Sequence, residues 1–332
     1  MQTAPLPSGA PAHPRAARIA RIGLTVADLD AARAFYADAL GFEPAGVEAR
    51  ADDAFGTLYG LPGARARACT MRLGAQAIEL VAFDAPGAPY PTPRAANDPW
   101  GQHFAIVASD IARAHERLAR FAQQPVSRGG PQRLPPHTGS VTAYKFRDPE
   151  GHPLELTHLP AGRWADRGAL AGAPLCLGID HGAIVVADPD ASLAFYRGLL
   201  GMRVAGRGVN DGPTQQRLDG LDAVEVEIVS VECEPPEGGP HLELLAYRAP
   251  RAARARPAPR PNDAAATRLV IEADRVDALA ARLHAAGVAF VSPGVVACAD
   301  GRRRALARDP DGHLVELVGA PAPGIAPAAP TA

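Results

Sequence analysis

The stretch DHGAIVVADPDASLAFYRGLLG, residues 180–201, repeats ARIGLTVADLDAARAFYADALG, residues 20–41. Both keep the frame V-A-D-x-D-A-x-x-A-F-Y…L-G, yet His181 stands where the earlier copy has Arg21. RIGLTV is a short run of β-branched and apolar residues and reads as a strand. DLDAARAFYADALG reads as a helix, with Asp28 as its N-cap and Gly41 as its stop. The duplicated strand therefore keeps its shape while its first residue changes from guanidinium to imidazole.

The repeat extends outward from this pair. RDPEGHPLEL at 147–156 returns as RDPDGHLVEL at 308–317. Two segments, 17–160 and 176–320, repeat each other across a linker at 161–175 that lacks strand alternation. The Pro/Ala/Gly-rich ends, 1–16 and 321–332, read as disordered tails. Each segment divides again into two units of one element order, a strand, a helix and further strands. The units open with RIGLTV, HFAIVA, HGAIVV and RLVIEA. The helix DIARAHERLARFA in the second unit places Ile111, Ala114, Leu118 and Phe121 on one face.

Bulk composition excludes several classes. At 332 residues, 47% hydrophobic and 21% charged, the chain has the make-up of a soluble globular protein of about two domains. A formal charge of −2 offers no basic stripe for nucleic acid or anionic membrane. Lys145 is the one lysine among 34 basic residues. Cys69, Cys176, Cys233 and Cys298 form no C-x-x-C pair, which points away from a disulfide framework or thiolate cluster and toward a reducing cytoplasm. No apolar run reaches the ~20 residues of a membrane span, and the proline-rich start does not read as a secretory signal.

The βαβββ units, the D-x-D-A-x-x-F-Y…L-G helix and the closing D-P-x-G-H-x-x-E-L together resemble the vicinal oxygen chelate superfamily. That superfamily includes glyoxalase I, methylmalonyl-CoA epimerase, extradiol dioxygenases and bleomycin-resistance proteins. The resemblance covers about 290 residues, as two domains at 17–160 and 176–320. It implies an α+β fold of four βαβββ units paired into two half-barrels. Their sheets are mixed, mostly antiparallel, with helices on the outer face.

In the resembled family, metal ligands come from the first-strand start and the last-strand Glu of two paired units. The first slot holds Arg21, His103, His181 and Arg268 in the four units, and the last holds Glu79, Glu155, Glu243 and Glu316. Alternation along HGAIVV puts His181, Ala183 and Val185 on the concave face, away from the helix. If each segment closes on itself, both sites contain one His, one Arg and two Glu, and the guanidinium repels a divalent ion. If units pair across segments, one site is His103, Glu155, His181 and Glu243, a workable N₂O₂ set for a divalent metal. The other is Arg21, Glu79, Arg268 and Glu316, where two guanidinium charges replace the ion. That second set reads either as a salt-bridge cluster or as a binding pocket.

The resemblance implies a metal-dependent lyase or isomerase like glyoxalase I or the epimerases. One divalent ion (Ni, Co, Zn, Mn or Fe(II)) acts as Lewis acid on a small-molecule substrate, and Glu155 moves the proton as general base. The alternatives are an extradiol-type Fe(II) ring-cleaving dioxygenase and a non-enzymatic, bleomycin-resistance-like binding protein. No nucleic-acid or membrane partner is expected, and the chain reads as a cytoplasmic monomer or homodimer. Glutathione, coenzyme A and catechol leave no signature. His152 and His313 read as turn histidines, in the shell around the site or at the surface. His137 reads as a solvated loop residue, and His241 as a substitute ligand for His181 or an exposed strand start.

Overall fold

The computed structural model describes residues 13–100, 103–160, 162, 164, 172–234, 239–252 and 258–319. The tail expected at 321–332 and most of those at 1–16 and 161–175 lie outside these residues. Ala16 does not: it is buried and begins the first strand, Ala16–Thr25. The helix that follows, Leu29–Leu40, starts where Asp28 accepts the amide protons of Asp30 and Ala31. It ends at Gly41, whose φ of 77° lies in the left-handed region that a Cβ disfavours. In the third unit Asp188 caps Pro189–Leu193 in the same way. That helix then widens into a π-helical turn over Ala194–Leu199, a difference the repeat comparison did not foretell.

Two sheets form, and each takes one unit from each repeat. The first orders its strands Val296–Ala297, Arg303–Arg308, Leu314–Gly319, Arg268–Ala273, Ala16–Thr25, Gln76–Phe83, Ala66–Leu73 and Glu43–Arg50. The second orders Arg203–Asp211, Glu225–Glu232, His241–Ala249, Cys176–Val185, His103–Ala108, Pro153–His158, Thr142–Arg147 and Gln124–Pro125. At the middle of each sheet the opening strands of two units pair antiparallel across the repeats. Gly23 faces Arg268 in one sheet, and Ala183 faces His103 in the other. Neither 17–160 nor 176–320 therefore closes a sheet by itself. The arrangement is the tandem α+β fold of four βαβββ units.

The two sheets are bound together by the partners within each repeat. Phe35 and Tyr36 of the first helix share a core with Phe104, Ile106, Leu154 and Leu156 of the second unit. Phe195 and Tyr196 do the same with Ile271, Val315 and Leu317. The D-P-x-G-H turns supply the polar ties. Asp148 accepts from the Tyr36 hydroxyl (3.0 Å) and pairs with His152 Nδ1 (2.8 Å), while His152 Nε2 reaches the carbonyl of Thr25 at 2.9 Å. Asp309 accepts from Tyr196 at 2.9 Å, and His313 Nε2 reaches the carbonyl of Val185 at 2.8 Å. Glu150 takes the backbone N–H groups of Ala27 and Asp28, and Asp311 takes that of Ala187. His152 and His313 are thus buried ties between sheets, not surface groups, because the turn inserts them beneath the opening strand of the neighbouring unit.

Because each sheet borrows from both repeats, cutting the backbone within 165–171 should leave the two halves associated. Co-purification of the halves, separating only as they unfold, is the expected outcome. Two folded halves that part under native conditions would contradict the strand order.

Candidate metal centre

The second sheet curls around a cavity of about 150 Å³ lined by His103, Lys145, Glu155, His181, Glu243 and Tyr247, among others. His103 and His181 sit on adjacent antiparallel strands, offset by two residues, so both rings project to the concave side. Their centroids are 5.5 Å apart at 72°. Glu155 lies on the strand parallel to His103–Ala108, opposite Ala105. One ligand atom each from His103, Glu155 and His181 falls within 4.8 Å of the others. His103 Nε2 stands 3.5 Å from Glu155 Oε2, and His181 Nε2 stands 3.6 Å from Glu243 Oε2. Two ligand atoms ~2.1 Å from one tetrahedral ion stand ~3.4 Å apart, so these separations suit a shared ion. Glu243 lies beside His181 but outside the tightest group, with its other oxygen 3.6 Å from His241 Nε2.

The electrostatics agree with a ligand set. Burial, with Lys145 and His181 nearby, holds His103 well below the usual imidazole range, so the ring is neutral. Its Nε2 is buried and makes no hydrogen bond, an arrangement that is costly unless a partner arrives. Burial alone would lower His181, but Glu243 and Asp180 outweigh it and lift the imidazole to about 9. Burial would raise Glu243, yet His181 and His241 hold it at about 2. Glu155 is raised by burial, with Lys145 and His181 restraining the rise. A divalent ion displacing the His181 proton would meet two imidazole nitrogens and carboxylate oxygens, and the residues present fit one.

Several members of this cleft were not singled out from sequence. Lys145, marked in the sequence only as the single lysine, lines the cavity with its Nζ 2.7 Å from Asp219 and 3.9 Å from Glu155. Asp219 also accepts from Gln215 and the Tyr247 hydroxyl, at 2.9 and 3.1 Å. Aligning LYGL at 58–61 with LDGL at 218–221 would have pointed to Asp219, since Tyr59 holds the matching place in the other cleft. His137 is exposed, and His241 is half-buried beside Glu243 and Asp180.

In the first sheet the corresponding positions hold a different chemistry. Arg268 is fully buried, its guanidinium 3.5 Å from Glu79 and 3.8 Å from Glu316. Arg21 reaches Glu79 at 3.5 Å. Two further arginines do more than was expected of the four-residue set. Arg50 binds Glu79 at 2.9 Å, and Arg304 binds Glu316 at 2.8 Å while pairing with Asp300. Tyr59 adds its hydroxyl to Glu316 at 3.4 Å. Burial would raise Glu79, but Arg21, Arg50 and Arg268 hold it far below the usual carboxylate range. Gly23 makes room: a Cβ there would lie 2.7 Å from a guanidinium nitrogen of Arg268. In the other sheet Ala183 carries that Cβ, opposite the slimmer His103.

The family described as Glyoxalase/Bleomycin resistance protein/Dioxygenase superfamily matches residues 18–156 and again 178–317. Among solved structures, a mutant of glyoxalase I from Zea mays is similar at 19% identity and a TM-score of 0.59. The match covers 91% of this chain and 92% of that one. A putative dioxygenase from Bacillus subtilis is similar at 14% identity and a TM-score of 0.56, over 93% and 86% of the two chains. At these identities the likeness is one of fold. No curated protein matches the chain by sequence. No helix among the described residues is long and apolar enough to cross a membrane.

Arg268→Ala should remove the fully buried cation that Glu79 and Glu316 share, leaving them only Arg21, Arg50 and Arg304, and lower stability by ~3 kcal/mol, the low end for a broken buried pair. Arg21→Ala should lower it less, since Arg21 is partly exposed and Arg50 also pairs with Glu79. Urea unfolding of both variants measures this. An Arg268→Ala change that leaves stability intact would contradict the cluster's structural role.

Proposed function

We propose that this chain, which belongs to the glyoxalase/bleomycin resistance protein/dioxygenase superfamily, is a metal-dependent lyase or isomerase of a small carbonyl compound. The observation that carries the reading is the buried convergence of His103, His181 and Glu155, with His103 Nε2 left without a hydrogen bond. His103, His181 and Glu243 would hold one divalent ion together with Glu155. Such an ion supplies Lewis-acid polarisation of a carbonyl oxygen.

The chain's own groups supply the rest. Glu155, buried and raised by burial, is the group suited to take a proton from the carbon beside that carbonyl. Lys145, 3.9 Å away, holds the charge of Glu155 in check while Asp219 fixes the ammonium. Leu134, Val141, Leu218, Val226 and Ile228 give the cavity apolar walls that exclude water. At about 150 Å³ the cavity takes a molecule on the scale of benzene, so the reacting part of the substrate is compact.

One observation favours a second reading. The tightest group is two histidines and one carboxylate, the ligand set of non-haem Fe(II) oxygenases. An extradiol-type ring-cleaving dioxygenase is therefore the alternative, and it needs iron, dioxygen and a catechol.

One test probes the site and a second separates the two readings. His103→Ala and His181→Ala should each remove most bound metal from the purified protein, whereas His152→Ala and His313→Ala should change stability and leave metal content alone. Retained metal in the His103→Ala/His181→Ala double variant would sink the site. In D₂O, the zinc- or nickel-loaded protein should exchange the α-proton of small 2-hydroxy ketones or 2-oxo aldehydes. Glu155→Gln should slow that exchange ~10²-fold or more. Oxygen uptake with catechols by the iron-loaded protein, without exchange, would favour the alternative.

A further inference from the structure

Two other differences between the strand that carries His181 and its repeat bear on the ligand. Asp180 stands where the first unit has Ala20, and Gly178 stands where it has Arg18. The structure gives both changes a purpose. Asp180 is buried and accepts from the indole N–H of Trp164 at 2.6 Å, while its other oxygen meets His181 Nδ1 at 3.2 Å. The His241 ring lies 3.9 Å from that second oxygen. Trp164 comes from the stretch between the repeats, yet it is only 3% exposed and packs with Val107 and Leu177. Its six-membered ring lies over Gly178, where a Cβ would stand 2.5 Å from the indole and 2.4 Å from Gln76 Oε1. Arg18, at the matching place, is half-exposed and paired with Glu272.

We infer that Asp180 and Trp164 are positioning residues for the proposed metal ligand His181. An imidazole has two nitrogens, and the partner of one decides which is left for a metal. With Nδ1–H donating to Asp180, Nε2 is the nitrogen turned toward Glu243 and the cleft. The indole N–H in turn fixes the carboxylate, whose rotation would otherwise swing the ring. The three substitutions form one set: glycine admits the indole, aspartate receives it, and histidine is oriented by the aspartate. The Arg21 unit has none of the three. The inference rests on the metal reading of the cleft.

The test titrates Co(II) into the metal-free full chain against a chelator, following the visible cobalt spectrum and tryptophan emission. Asp180→Asn presents an amide N–H₂ to Nδ1 and favours the wrong tautomer. Trp164→Phe keeps the ring over Gly178 but removes the donor. The expected result is a 10- to 100-fold weaker affinity for Asp180→Asn, a smaller loss for Trp164→Phe, and altered cobalt bands in both. The metal-free variants should melt within a few degrees of the parent. Unchanged affinity and bands in both variants, with Co(II) still lost in His181→Ala, would overturn the inference and leave the metal site standing. A parent that binds no Co(II) would overturn both. If Trp164→Phe fails to fold, Asp180→Asn decides alone.

Discussion

A carboxylate set into an apolar sheet must meet a cation, and each of the four units places a glutamate on its last strand. Leaving any one unpaired would cost several kcal/mol. Much of the architecture around the two clefts follows from that constraint. In one cleft Glu79 and Glu316 are neutralised by Arg268, Arg21, Arg50 and Arg304, held at fixed distances by the sheet itself. In the other, Glu155 and Glu243 face two imidazoles, one of them neutral and short of a partner. Lys145 and Asp219 neutralise each other, leaving room for a mobile charge beside them.

The same constraint explains why the units exchange partners. Antiparallel pairing of the opening strands across repeats puts histidine beside histidine and arginine beside arginine. Pairing within a repeat would mix them, and each cleft would then hold a guanidinium beside a histidine. The repeats instead meet through helices and D-P-x-G-H turns, which bind the two sheets back to back. Those turns carry the most recognisable motif of the chain, and their chemistry is that of a structural joint.

Much of this was legible in the amino-acid sequence, and the boundary has physical causes. Asp28 and Gly41 announce a helix because a cap and a left-handed residue are local requirements. His181, Ala183 and Val185 share a face because strands alternate. Pairing was not local: two arrangements satisfied every periodicity, and only charge compatibility distinguished them. Arg50 and Arg304 escaped notice because strand ends with many arginines show no pattern that marks one as buried. Lys145 was visible as the single lysine, but its partner Asp219 sits on a short helix, Gly212–Asp219, that carries little periodicity. Trp164 lies outside every repeat, so no internal comparison could assign it a place.

The central claim is that one cleft was built for an ion and its duplicate was filled with guanidinium. Anomalous diffraction at the absorption edges of the candidate metals, from crystals of protein purified without added metal, tests it most directly. The account predicts a single peak bounded by His103, Glu155 and His181, and none near Arg268. Peaks in both clefts, or in neither, would contradict it.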